Sequence, residues 1–146
     1  MAIEAYVYDA IRTPRGKGKA SGALYEVKPI DLLTNLMEAI KERNDLDTSR
    51  IEDLIVATGE PVNEQGQNIA KTAVTYSSWD NVTTGSQLHR YCAGGLDAVN
   101  IAAVAIIIAV CIEMGKDTFK SDYGSCSLNS ANPISNSSIS LALRSN

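Results

Sequence analysis

The sequence predicts an α/β domain made of alternating βαβ units around a mainly parallel sheet. Short apolar runs bounded by turn residues alternate with stretches whose apolar residues recur at helical spacing, the pattern of βαβ chains. Around Cys92 a strand-like stretch runs directly into a glycine-rich helix start. With 146 residues, 45% of them hydrophobic, the chain has material for one real core.

The elements follow in order. Ala5 to Ile11 reads as the opening strand. The first helix is the clearest: Pro29 suits a first-turn position and Asp31 complements the N-terminal dipole. Ile30, Leu33, Leu36, Met37 and Ile40 make an apolar stripe, Lys41 and Arg43 complement the C-terminus, and Asn44 can stop the helix. Leu54 to Ala57 is a second strand. A helix from about Gln67 to Tyr76 turns Ile69, Ala70, Ala73 and Val74 inward. The third strand ends at Cys92, and a central helix from Gly94 onward is expected to bury Leu96, Val99, Ala102 and Ala103. Ile101 to Ile112 is an unbroken apolar run, shorter than the roughly 18 residues that span a membrane, so no membrane span is expected. Residues 1–124 form the expected domain. The Ser/Asn-rich segment 125–146 reads as a poorly ordered tail.

Charge narrows the function classes. A net charge of -4, with 13 basic and 17 acidic residues, argues against a nucleic-acid surface. The N-terminus lacks a signal-peptide pattern, and three cysteines without regular spacing fit a reducing, cytoplasmic setting rather than a disulfide framework. The sequons at Asn81 and Asn136 are therefore read as chance. Ligand-rich clusters are absent, so no metal site is expected. Arg15-Gly16-Lys17-Gly18-Lys19 matches neither phosphate-binding glycine pattern and reads as a solvated connection.

Cys92 is the candidate catalytic residue. At a strand-to-helix turn its sulfur lies near the positive end of the helix dipole and near backbone N–H groups, which favour a thiolate. Gly94 and Gly95 remove side-chain bulk beside it. His89, the one histidine, lies three residues earlier. Strand alternation puts His89 and Tyr91 on one side and Arg90 and Cys92 on the other, against a Cys-His dyad. Cys111, in an apolar strand, is expected to be inert, and Cys126, in the polar tail, to be exposed.

Arg90-Tyr91-Cys92-Ala93-Gly94-Gly95-Leu96-Asp97-Ala98-Val99-Asn100 resembles the nucleophilic-cysteine motif of the thiolases, the acetyl-CoA acetyltransferase and 3-ketoacyl-CoA thiolase family. Ala5-Tyr6-Val7-Tyr8-Asp9-Ala10-Ile11-Arg12-Thr13-Pro14 resembles that family's opening strand and Arg-Thr-Pro turn. Glu64-Gln65-Gly66-Gln67-Asn68-Ile69-Ala70-Lys71 resembles its Gly-Gln-Asn helix start. The three occur in the family's order and at its approximate spacing, and the resemblance covers the N-terminal half only. His89 and Gly94 depart from the family's Asn and Ser. Beyond Ala103 the family's glycine-containing turn is not evident, although Glu113 and Ser121-Asp122-Tyr123-Gly124 still resemble its Glu and Ser-Asp-Gly-Gly.

The resemblance implies a thiolase-like N-terminal half and acyl transfer from an acyl-CoA substrate through a covalent acyl-Cys92 intermediate, with no permanently bound cofactor. The residues that would bind CoA are not identified. The family's Gly-His-Pro histidine, Asn-Glu motif and Cys-x-Gly cysteine belong to a second half, which the resemblance does not cover; Gly-His-Pro does not occur in these 146 residues. The chain is therefore expected to be incomplete alone, working as a homo-oligomer or with a thiolase C-terminal half. A non-catalytic dimerisation or binding module is the alternative. A thiol redox protein is a third reading, disfavoured because no C-x-x-C pair is present. A lone half would expose an apolar face, so oligomerisation or marginal stability is expected.

Overall fold

The computed structural model describes residues 5–106 and 141–144. Three strands, β1 (Asp53–Thr58), β2 (Thr84–His89) and β3 (Leu141–Arg144), form one sheet in the order β2-β1-β3, with both pairings parallel. β1 is the central strand. From Leu54 through Thr58 it is buried, because both its faces are covered.

Side-chain alternation along β1 divides the core in two. Leu54 and Val56 join one cluster with Leu33, Met37 and Ile40 of α1 (Pro29–Asn44) and Ile69, Ala70, Ala73 and Val74 of α2 (Ile69–Tyr76). Ile55 and Ala57 face the other way, against Ala98 and Ala102 of α3, a helix over residues 94–106. Helices thus cover both faces of a parallel sheet, the α/β architecture expected.

The expected stripe of α1 is buried, with Ile30 and Leu36 at its margin. Asn44 is its last residue; the reversal itself falls on Asp45, left-handed at φ 47°, whose N–H donates to the Lys41 carbonyl. α2 begins at Ile69 rather than Gln67, because Asn68 caps it: Asn68 Oδ1 accepts from the Lys71 N–H at 3.1 Å. Trp79 is buried in the same cluster, and its Nε1 donates to the Met37 carbonyl at 3.1 Å. α2 approaches β2 so closely that a Cβ on Gly85 would lie 2.3 Å from the Lys71 backbone nitrogen.

Three expectations are corrected. Ala5–Ile11 is not a strand: Tyr6, Val7 and Tyr8 are exposed, and the place beside β1 opposite β2 is taken by β3. A central strand has only two edges to offer. The segment is instead tied to the end of α1, where Asp9 accepts from Asn44 Nδ2 at 3.0 Å and pairs with Arg43 at 3.3 Å. Leu141–Arg144, four residues of the expected tail, form a strand; residues 125–140 and 145–146 lie outside the described residues. On α3, Leu96 and Val99 are exposed while Gly94, Ala98 and Ala102 face the sheet. The remainder of the apolar run beyond Ile106, with Cys111, Glu113, Ser121-Asp122-Tyr123-Gly124 and Cys126, also lies outside the described residues. Among those described, no helix is long and apolar enough to cross a membrane.

Candidate functional site

Parallel strands deliver their carboxyl ends to one edge of the sheet, the edge where open α/β folds carry their chemistry. Thr58 at the end of β1 pairs in register with His89 at the end of β2. Two connections leave from here. One is the 59–68 loop into α2, and the other is the turn Arg90–Ala93 into α3, which holds Cys92.

β2 ends at His89, three residues before the cysteine rather than at it. Arg90 leaves the extended region at φ -144° and ψ 44°, Tyr91 is left-handed at φ 44°, and Tyr91–Ala93 form a 3-10 turn. A positive φ is costly for a bulky aromatic residue and reverses the chain sharply. Cys92 sits on the outside of this reversal, free and exposed. The Ala93 N–H donates to the Arg90 carbonyl at 3.0 Å and the Gly94 N–H to the Tyr91 carbonyl. Two amides at the helix start, expected to be open beside the sulfur, are therefore engaged by the turn itself.

His89 lies edge-to-face with Tyr91, ring centroids 4.7 Å apart. That agrees with the side-sharing expected from alternation, and among the described residues no hydrogen bond joins His89 to Cys92. Arg90 instead reaches forward over the turn: its Nη1 donates to both carboxylate oxygens of Asp97 at 2.7 Å. Asp97 raises the Arg90 pKa, by hydrogen bonding first and by its charge second. Gly94 permits the close seating of α3, since a Cβ there would fall 2.9 Å from the Ala57 Cβ.

Sequence reasoning did not single out Gln87. Its Oε1 accepts from the Ile69 N–H at 2.6 Å, while its Nε2 donates to the Gln65 carbonyl at 2.7 Å and to Thr58 Oγ1 at 3.2 Å. One side chain thus brackets the end of β1, the loop after it and the start of α2. Asn68 adds a bond from Nδ2 to the Gly85 carbonyl at 2.6 Å. An amide inside an alternating strand carries no local signal for this, because its partners come from distant segments. Arg15-Gly16-Lys17-Gly18-Lys19 lies in an exposed region of turns, as a solvated connection should.

Residues 5–117 match the family model described as thiolase, N-terminal domain. The chain belongs to the thiolase family. Among curated thiolases it is 34% identical over 107 residues to the beta-ketoadipyl-CoA thiolase of Pseudomonas knackmussii, covering 73% of this chain and 26% of that protein. Against the 3-ketoacyl-CoA thiolase of Shewanella denitrificans it is 37% identical over 105 residues, 71% of this chain and 27% of that one. The acetyl-CoA acetyltransferase of Bacillus anthracis superposes with a TM-score of 0.54 and 26% identity, covering 61% of this chain and 22% of that structure. The chain thus spans about a quarter of the length of the curated thiolases it matches.

Proposed function

We propose that this thiolase-family chain carries the acyl-accepting half of an acyl-CoA acyltransferase, with Cys92 as its nucleophile. The observation that supports this most is the exposed Cys92 thiol, held on a sharp turn at the carboxyl edge of a parallel sheet in a chain of this family. In the proposed step the Cys92 sulfur attacks the thioester carbonyl of an acyl-CoA. The new sulfur–carbon bond replaces the one to CoA, CoA leaves as a thiol, and the cysteine proton ends on its sulfur. A second thiol or an acetyl-CoA carbanion then takes the acyl group.

Proton transfer needs a base within reach of the sulfur. His89 lies against Tyr91 and, among the described residues, makes no hydrogen bond to Cys92; the base in this reading comes from a thiolase C-terminal half. The curated relatives are named for 3-ketoacyl-CoA and beta-ketoadipyl-CoA thiolysis, which makes acyl-CoA the substrate class to test first. Incubation with acetyl-CoA, followed by mass spectrometry, should give an acetyl adduct on Cys92 that is lost in Cys92→Ser. The adduct should form faster by orders of magnitude when a thiolase C-terminal half is supplied, since catalytic groups act as a unit. No adduct under either condition would overturn the reading.

A specific observation also favours the non-catalytic alternative. Leu96, Val99, Ile101 and Val104 are exposed along α3, an apolar strip suited to a protein partner. Stable association with a full-length thiolase without any acylation of Cys92 would support that module over the enzyme.

A further inference from the structure

We infer that Arg90 and Asp97 form a clasp that aims the Cys92 thiol, which makes both of them positioning residues. The inference rests on the reading of Cys92 as a nucleophile and adds how the fold holds that nucleophile in place.

Tyr91 occupies a left-handed conformation that an aromatic residue does not favour, so neighbouring structure must hold it there. The turn's own bonds, Ala93 to Arg90 and Gly94 to Tyr91, close the reversal locally but do not fix where α3 points relative to β2. α3 meets the sheet through small residues, Gly94, Ala98 and Ala102, with Leu88 of β2 packed at the margin. Among the described residues, the Arg90–Asp97 pair is the hydrogen-bonded side-chain tie between the end of β2 and α3, beside the apolar packing of Leu88. That tie joins residues on either side of Cys92. Asp97 lies one turn into the helix, where a carboxylate also complements the N-terminal dipole.

A clasp and a simple charge effect predict different things. Arg90 and Asp97 carry opposite charges, so if each acted on the thiol by charge alone, neutralising them would shift its reactivity in opposite directions. If they act as one tie, neutralising either one releases the same turn, and both variants shift reactivity the same way.

The test is the rate of Cys92 alkylation by iodoacetamide in the full chain at fixed pH, followed by peptide mass spectrometry to separate the three cysteines. Arg90→Gln and Asp97→Asn should each slow alkylation by about 2- to 5-fold, the size of one helix-terminus interaction. The double variant should be no slower than either single one, as expected for two halves of one contact. Asp97→Glu should restore most of the rate. If a variant fails to fold by circular dichroism, the unaltered chain in about 1 M NaCl serves instead. Screening of this exposed pair should slow Cys92 there by the same factor. Opposite shifts in the two single variants, equal slowing by Asp97→Glu and Asp97→Asn, or rates unchanged by substitution and salt would each overturn the clasp. No acyl-CoA enters this assay, so a missing acetyl adduct would sink the proposed activity and leave the clasp standing.

Discussion

In the proposed reading, Cys92 is the reacting group at the smallest scale. Two glycines control how closely their neighbours approach. A Cβ on Gly85 would press on the Lys71 backbone, which cannot step aside, whereas one on Gly94 would meet the methyl of Ala57. Gly85→Ala should therefore destabilise the fold by about 1–3 kcal/mol or more, the cost of overpacking. Gly94→Ala should cost less and be partly relieved by Ala57→Gly. Thermal melts of the three variants and the double would check the order; an additive double would count against the contact. The importance of Gly94 was legible from the motif, as a departure from the family's Ser. Gly85 carried no such signal, because the backbone it meets lies 14 residues away in sequence and is adjacent only in the fold.

At the scale of elements, α1 was readable almost residue by residue. Its stripe, first-turn Pro29 and terminal basic residues all point to one buried face, and the structure buries it. α3 was readable as a helix, but its buried side only in part: Ala102 is buried as expected, whereas Leu96 and Val99 are exposed. Periodicity alone favours the larger apolar residues, yet close seating on Ile55 and Ala57 admits only Gly94, Ala98 and Ala102. Gln87 joins β1, β2 and α2 at the edge that carries Cys92. Gln87→Leu would leave the Ile69 N–H and the Gln65 carbonyl without their partner. It should cost about 1–3 kcal/mol in a urea titration. Hydrogen exchange at the first turn of α2 should rise with it, and unchanged protection at Ile69 would show that the bracket does not hold that turn.

For the whole molecule, three surface carboxylates link stability to acid. Glu38 feels some desolvation, but hydrogen bonds from the Ser78 hydroxyl and N–H outweigh it and hold its pKa below the usual carboxylate range. Asp9 is lowered by Asn44, the Ala10 N–H and Arg43, and Asp47 by the Ser49 hydroxyl and N–H. Each folded-state pKa lies below its unfolded value. The stability they contribute is therefore present above the unfolded pKa and is lost as pH falls through the folded one. The chain should lose stability progressively below about pH 4. Glu38→Gln should flatten that dependence, as read from melting temperature against pH; an unchanged acid slope would exclude Glu38 as a contributor.

Taken by itself, the sequence determined the α/β class, the order of α1, β1, α2, β2 and α3, and the family, through short motifs whose residues are contiguous. Local periodicity and capping depend on near neighbours, so they can be read along the chain. Tertiary structure decided what depends on distant partners. It set Leu141–Arg144 rather than Ala5–Ile11 beside β1, turned the small face of α3 to the sheet, and gave Gln87 its bracket. It also ended β2 three residues before Cys92, where Arg90, bound across the turn to Asp97, leaves the thiol exposed at the sheet's carboxyl edge.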